Sequence, residues 1–156
     1  MPATDLTFDT PTDADWETLN RFMRAFCEED GHPYGPGNER ALRILLDTPV
    51  HGRVLLLRHR GKAAGYAALC YGFSLEFNGR DAFLDELYVD PAFRGLGIGS
   101  QALDRLKEIA MADGIVALHL EVMEENAGAA RLYERSGFRR RPTRLMTCRL
   151  DPDAAA

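Results

Sequence analysis

The run Arg94-Gly95-Leu96-Gly97-Ile98-Gly99 places three alternate glycines and one arginine between two segments of different periodicity. Residues 82–90 before it are apolar and predict a strand, whereas apolar residues recur at helical spacing from Ile98 to a stop at Asp113-Gly114. Glycines let backbone N–H groups approach an anion closely, and a helix N-terminus adds roughly half a positive charge. The run therefore predicts a phosphate-binding loop, with Arg94 as a permanent cation for the phosphate.

Two other nucleotide-binding motifs have similar glycine spacing. A P-loop ends in Gly-Lys followed by Ser or Thr, and no such lysine follows here, which excludes it. A dinucleotide-binding fingerprint can be aligned on residues 97–102, but in that fold the strand runs almost directly into the first glycine. Residues 91–96 intervene here and disfavour it. A glycine-rich turn without a ligand remains the structural alternative.

Length and composition bound the class of protein. The chain has 156 residues, of which 46% are hydrophobic and 28% charged, as in an ordinary globular protein, so we expect one domain over residues 1–156. No apolar run approaches the roughly 20 residues that span a bilayer, and the first residues do not resemble a secretion signal. We therefore predict a cytoplasmic protein with no membrane partner. The net charge of -5 argues against nucleic acid as the main partner.

Cysteine and histidine spacing suggests neither a redox pair nor a metal site. Cys27, Cys70 and Cys148 are far apart and lack a C-x-x-C spacing, so we expect reduced, buried thiols. The four histidines also lack ligand spacing, and no metal is predicted.

Hydrophobic periodicity predicts alternating helices and strands. The predicted strands cover residues 6–10, 53–58, 63–73, 82–90, 116–122 and 138–150. The predicted helices cover residues 16–26, 39–46, 98–112 and 127–136. Residues 59–62 suit a hairpin turn. This order predicts an α/β fold with a mixed sheet.

The loop also fits the pattern Gln/Arg-x-x-Gly-x-Gly/Ala, and the chain resembles the GNAT superfamily of acyl-CoA-dependent N-acetyltransferases. The resemblance extends to residues 84–91, Leu-Asp-Glu-Leu-Tyr-Val-Asp-Pro, and to residues 126–138. This second half is similar to small bacterial and polyamine-type N-acetyltransferases. The first 75 residues match only in the order of their elements.

The resemblance implies a fold and an activity. The fold has a mixed, mostly antiparallel sheet of six to seven strands flanked by about four helices. The activity is transfer of an acetyl group from acetyl-CoA to a primary amine of a small molecule or peptide, by direct attack in a ternary complex. Relatives are often homodimers. A catalytically silent acyl-CoA-binding module is the alternative function.

The resemblance also implies the cofactor site. Backbone groups near Leu87 would pair with the pantetheine arm, one N–H there would stabilise the oxyanion, and the glycine loop would hold the pyrophosphate. The implied cofactor-binding residues are Leu87, Tyr88, Val89, Arg94, Gly95, Leu96, Gly97, Ile98, Gly99, Ser100, Asn126 and Ala129.

Tyr133 is the candidate general acid, because a phenol with an ordinary pKa of about 10 can protonate a departing thiolate. Asn126 lies seven residues earlier, so Asn126, Ala129 and Tyr133 can face one cleft across two helical turns. Tyr133 also corresponds to the tyrosine that many GNAT enzymes use as general acid. The alternative is an ordinary core tyrosine.

A carboxylate is expected to take the proton of the amine. Asp85 and Glu86 are adjacent in a predicted strand, so they point to opposite faces unless a bulge intervenes. The resemblance implies that Glu86 is the base and that Asp85 contacts substrate. Either side chain could instead be merely solvated or salt-bridged. Glu28 and Glu76 lie where relatives bind the acceptor and favour a cationic one, although charged residues there are ordinarily solvent-facing.

Overall fold

The computed structural model describes residues 5–151. Its strands are β1 Leu6–Asp9, β2 Gly52–His59, β3 Lys62–Ser74, β4 Gly79–Val89 and β5 Ala117–His119. Its α-helices are α1 Trp16–Asp30, α2 Pro36–Asp47, α3 Ile98–Ala112 and α4 Ala127–Arg135. Single 3₁₀ turns cover Asp13–Asp15 and Pro91–Phe93. The order of these elements is the predicted one as far as the end of α4.

The five strands form one mixed sheet in the order β1-β2-β3-β4-β5. The first four are antiparallel neighbours and β5 runs parallel to β4. The hairpin between β2 and β3 turns on Arg60 and Gly61, whose φ angles of 51° and 77° suit the tight turn that was predicted. The prediction of a mixed, mostly antiparallel sheet with four helices is confirmed.

The prediction of six to seven strands is wrong for the described residues, which contain five. The predicted strand over residues 138–150 has no regular structure, and residues 139–150 are exposed. Residues 116–122 form a strand of only three residues. A segment with strand propensity needs a ladder partner and a face to bury. The short β5 offers little edge, and the arginines of the final segment favour water.

Apolar side chains cover both faces of the sheet, because successive side chains in a strand point to opposite sides. Leu56 and Tyr66 pack with Phe22 of α1 on one face. The other face joins the central strands to α3 and contains Leu55, Leu57, Leu69, Leu103 and Leu106. This two-sided burial explains the continuous apolar run in β2, and it holds α1 and α3 on opposite sides of β4.

The three cysteines are free, but their burial differs. Cys27 is buried in the α1 core, whereas Cys70 is half-buried. Burial raises the pKa of the Cys27 thiol, and it raises that of Cys70 to about 11. Cys148 is exposed, so the prediction of burial is wrong there, because this residue belongs to the final segment without regular structure.

No helix among residues 5–151 is long and apolar enough to cross a membrane.

Candidate functional site

The glycine loop owes its shape to left-handed backbone at two positions. Gly95 has a φ of 79° and Gly97 a φ of 74°, backbone angles that residues with a Cβ rarely adopt. Gly97 is the N-cap of α3, and the first helical bond runs from the N–H of Gln101 to its carbonyl at 3.1 Å. The N–H groups between these two residues have no partner within the helix. They form a set of donors suited to an anion.

Gly99 is constrained in a different way. A Cβ at this position would lie 3.3 Å from Cδ2 of Leu132 in α4, which is tighter than ordinary contact. The glycine therefore allows α4 to pack closely against the first turn of α3, next to the loop.

Arg94 is already engaged at the mouth of this loop. Its Nε donates to the carbonyl of Val89 at 2.8 Å, and its Nη2 lies 2.6 Å from Oε1 of Glu29 at the end of α1. The guanidinium also stands 5.6 Å from the ring centre of Tyr88. The side chain thus ties the loop to β4 and α1, and its role as a phosphate cation stays a prediction.

β4 is paired with β5 only over the first half of its length. The two strands pair only from Asp81 to Phe83, while β4 continues to Val89. The N–H of Asp90 donates to Ala64 in β3, and backbone groups alternate between the two edges of a strand. The backbone groups of Leu87 and Val89 therefore face the other edge, which no strand of the described residues covers. This edge leads into the glycine loop.

A β-bulge interrupts β4 at Asp85. Ala68 of β3 is opposite Glu86 and Leu69 is opposite Leu84, so Asp85 is the extra residue. Leu84 packs in the core beside α3, whereas Tyr88 packs in the core beside α1, although a regular strand would point both to one face. The bulge therefore turns Glu86 and Tyr88 towards α1 and leaves Asp85 exposed.

Glu86 is half-buried and held by a buried tyrosine. The hydroxyl of Tyr66 donates to Oε2 of Glu86 at 2.6 Å, and Tyr66 is 1% exposed. Burial raises the pKa of Glu86 above its ordinary value, the bond from Tyr66 opposes this, and the charges of Asp85 and Asp30 add to it. Burial and the charge of Glu86 raise the pKa of Tyr66 far enough to keep it a donor.

Asp85 is exposed to solvent, but the protein around its carboxyl group still desolvates it enough to raise its pKa as well. Two neighbouring carboxyl groups, both easier to protonate than usual, thus lie on the bulge beside the unpaired edge of β4.

Asp30 brings the end of α1 into the same electrostatic environment. Gly31 ends the helix in the left-handed conformation, and Nε2 of His32 lies 3.1 Å from Oδ2 of Asp30. The negative charge of Asp30 raises the pKa of Glu86, and it adds to burial in raising that of Tyr133. The charge of Asp30 therefore acts on both candidate catalytic groups.

Tyr133 is half-buried on α4. Its ring packs edge-on against Phe138 at 6.0 Å, and together with Ala130 it lines an open cavity of about 1220 Å³. Glu86 is not part of the cavity wall. Asn126 acts as the N-cap of α4, where its side-chain oxygen accepts the N–H of Ala129 at 3.1 Å.

The predicted acceptor residues lie apart from each other. Glu28 lines a second cavity of about 480 Å³ between α1 and α2, and His32 lines the same cavity. Glu76 sits in the turn between β3 and β4, where it pairs with Arg141 and lines the larger cavity. Among residues 5–151, no group of His, Cys, Asp or Glu side chains is arranged to hold a metal ion.

Tyr66 and His32 were not predicted as site residues, nor was a part for Asp30 in the proton chemistry. Tyr66 is distant from Glu86 in the chain, and only the pairing of β3 with β4 joins them. A phenol in the apolar middle of β3 is a signal that could have drawn attention to it, although Tyr71 of the same strand gives the same signal.

Curated proteins similar in sequence to this chain include N-acetyltransferases. Thialysine N-epsilon-acetyltransferase of Bos taurus is 36% identical over 73 residues, which are 47% of this chain and 42% of that protein. An uncharacterized N-acetyltransferase of Mycobacterium tuberculosis is 32% identical over 91 residues, 58% of this chain and 55% of that one. These matches span about half the length of each relative.

Solved structures match over nearly the whole chain. An integron cassette protein from the mobile metagenome of Cole Harbour Salt Marsh has a TM-score of 0.80 and 32% identity, covering 93% of this chain and 91% of its own. A predicted acetyltransferase of Clostridium acetobutylicum, solved with acetyl-CoA, has a TM-score of 0.74 at 18% identity, covering 92% and 96%, and shows the fold alone. The acetyltransferase (GNAT) family pattern matches residues 16–138, from the start of α1 to just beyond α4. The chain therefore belongs to the GNAT family of acetyltransferases.

Proposed function

We propose that this chain transfers an acetyl group from acetyl-CoA to a primary amine of a small molecule or peptide, by direct attack in a ternary complex. The observation that carries the proposal is the bulge of β4. It sets Asp85 and Glu86 beside an unpaired strand edge, which a 3₁₀ turn over Pro91–Phe93 joins to the glycine loop. A proton acceptor and an anion site thus lie along one stretch of chain, the second half of β4 and the loop that follows it.

The donor would lie along β4 and the start of α3. The uncommitted N–H groups after Gly97 suit a pyrophosphate, and the free backbone groups of Leu87 suit the amides of a pantetheine arm. The N–H of Leu87 is also our candidate for stabilising the oxyanion that forms on the thioester carbonyl. Acetyl-CoA supplies the thioester, and these backbone groups orient it.

Glu86 is the proposed general base. An ammonium group must lose its proton before it attacks, and a base is most effective when its pKa is close to the working pH. Burial and the charges of Asp85 and Asp30 move the pKa of Glu86 in that direction. Tyr66 holds the carboxylate in one position, and transfer occurs directly or through a water molecule. Asp85 remains the proposed substrate contact and the rival base.

Tyr133 is the proposed general acid. Burial and the charge of Asp30 raise its pKa, so the phenol keeps its proton throughout the physiological range. It can then donate this proton to the thiolate of CoA as the tetrahedral intermediate collapses. The attacking amine forms the new C–N bond, and the C–S bond breaks.

The acceptor is proposed to be cationic. The charges of Asp85 and Asp30 both act on Glu86, and this concentration of acidic groups favours an ammonium group. The name of the bovine relative, a thialysine N-epsilon-acetyltransferase, agrees with such a substrate. Glu28 and Glu76 stay predicted contacts of the acceptor, and Asn126 and Ala129 of the donor. We further propose one domain, a cytoplasmic location, homodimers and no metal requirement.

A thiol-release assay with a panel of polyamines, aminoglycosides, amino acids and peptides tests the proposal. Calorimetric titration with acetyl-CoA separates it from the alternative of a silent acyl-CoA-binding module. Release of CoA with at least one amine, lost in Glu86→Gln, is the expected result. Binding of acetyl-CoA without thiol release for any amine would mean that the chain is a binding module.

A further inference from the structure

The cavity of about 480 Å³ between α1 and α2 has a mixed charge. Its wall contains one cation, Arg24, and two carboxylates, Glu28 and Glu39, around the ring of Tyr34. A space of this size is within the range of small-molecule sites, which begin near roughly 300 Å³. The cavity is thus large enough for a compact ligand that carries both signs of charge.

Arg24 is held in place without a carboxylate partner. Its guanidinium stands 5.0 Å from the ring centre of Tyr34, and within residues 5–151 it forms no ion pair. Arg21, one turn earlier on α1, differs because it pairs with Asp90 at 3.4 Å. The hydroxyl of Tyr34 donates to the buried Asn20 at 2.6 Å, which fixes the ring beneath Arg24. A cation without a carboxylate partner is therefore available to an incoming carboxylate.

The two carboxylates of the cavity are also available. Glu28 lies four residues after Arg24 on α1, a spacing that often gives an ion pair, yet no ion pair joins them here, with Arg24 over Tyr34. Glu39 receives only a long hydrogen bond of 3.5 Å from Tyr34. In the part of the chain that the structure describes, neither glutamate forms an ion pair with a basic side chain. Both can accept hydrogen bonds from an ammonium group.

The end of α1 that borders the cavity also packs beside the proposed base, because Cys27 lies in the same core cluster as Tyr66, whose hydroxyl donates to Glu86. His32 is part of the cavity wall, and its Nε2 lies 3.1 Å from Asp30. Asp30 is the carboxylate whose charge acts on both Glu86 and Tyr133. The cavity and the core residues that hold Glu86 therefore meet the same end of α1.

We propose that this cavity binds the zwitterionic head of a free diamino acid of the lysine type, with its α-carboxylate on Arg24 and its α-ammonium on Glu28 and Glu39. The flexible side chain of the same molecule extends past Asp30 and delivers its terminal amine to Glu86. This inference rests on the proposed function and names its substrate class. A polyamine leaves Arg24 without a partner, and a lysine within a peptide lacks both charged α-groups.

Steady-state kinetics with three acceptors test the inference. Lysine carries both head groups, cadaverine lacks the carboxylate, and 6-aminohexanoate lacks the α-ammonium. Hydrogen bonds to charged groups contribute about 1.5–3 kcal/mol, so lysine should exceed each analogue in kcat/KM by about 10- to 100-fold.

Variants assign this preference to individual residues. Arg24→Gln should raise the KM for lysine by about 10- to 100-fold and leave cadaverine unchanged. Glu28→Gln should reduce the preference for lysine over 6-aminohexanoate. Arg21→Gln is the matched control, because Arg21 lies on the same helix outside the cavity, and its kinetics should equal those of the parent.

Equal kcat/KM for lysine and cadaverine in the parent protein would overturn the inference. So would a loss in Arg24→Gln that is the same for both acceptors. Either result would leave the proposed function intact, because cadaverine would still be acetylated. Absence of thiol release with every amine would instead refute the proposed function itself.

Discussion

Replacing Tyr66 by Phe should shift the pH dependence of catalysis without unfolding the protein. The substitution removes only the hydroxyl that donates to Glu86 at 2.6 Å. The ring itself remains, with its stacking on Phe22 at 6.5 Å and its contact with Tyr88 at 6.2 Å. The change therefore acts mainly on the ionised carboxylate.

The magnitude follows from the strength of that bond. A hydrogen bond to a charged group contributes about 1.5–3 kcal/mol, and about 1.4 kcal/mol corresponds to a factor of ten. The bond lowers the pKa of Glu86 against the effects of burial, Asp85 and Asp30, so its loss raises that pKa further. On the acid side of the profile, kcat/KM should fall by about 10- to 100-fold. At alkaline pH, where Glu86 is ionised in both proteins, the loss should be much smaller.

The assay is kcat/KM against pH with the best amine from the panel. Tyr71→Phe is the matched control, because Tyr71 lies on the same strand but donates its hydroxyl to Asp113, at the end of α3. Burial and this bond raise the pKa of Tyr71 to about 12, so the control also removes a protonated, hydrogen-bonded phenol. Its pH profile should match the parent. An unshifted acid limb in Tyr66→Phe would refute Glu86 as the base and transfer the role to Asp85 or water.

Three further substitutions separate the assigned roles. Glu86→Gln should lower kcat yet raise the melting temperature at neutral pH, because burial raises the pKa of Glu86 and the stabilising contribution of the protonated carboxyl group is lost as pH rises through that pKa. Below the pKa of an unfolded Glu the gain in melting temperature should vanish, and a lower melting temperature at neutral pH would contradict the assignment. Tyr133→Phe should reduce kcat by about 10²- to 10⁴-fold with acetyl-CoA affinity nearly unaltered, whereas a loss of affinity alone, measured by calorimetry, would exclude the general-acid role. Gly97→Leu should abolish acetyl-CoA binding, whereas the control Gly114→Leu, at a similar φ of 79° outside the loop, should lose only stability, about 1–3 kcal/mol, as Gly97→Leu also does. Comparable acetyl-CoA binding in both variants would show that the loop does not bind the donor.

Local features of the sequence were sufficient for most of the fold. The helical spacing of apolar residues in α1 and α3 predicted both helices, since each buries a single face. The turn at residues 59–62 predicted the hairpin, because Arg60 and Gly61 need only local backbone geometry. The final segment failed for the opposite reason. Its strand propensity is local, but a strand forms only where another strand offers an edge.

The site depended on contacts between distant parts of the chain. Sequence left open which face each member of the pair Asp85 and Glu86 would occupy, and the bulge between β3 and β4 decided it. The same strand pairing gave Glu86 its partner Tyr66. Arg94 was predicted to be a cation for the phosphate, yet in the folded chain its Nη2 lies 2.6 Å from Oε1 of Glu29. No spacing along the chain encodes these three arrangements.

The glycine loop, the family and the residue types available for proton transfer could be predicted from the sequence, because these depend on backbone preference and short-range order. The tertiary structure decided which carboxyl group is buried, which tyrosine holds it and which charges from α1 act on it. It also left Arg24, Glu28 and Glu39 around one cavity. Burial and Coulomb interactions depend on distance in space, so they are settled only when the sheet and α1 pack together.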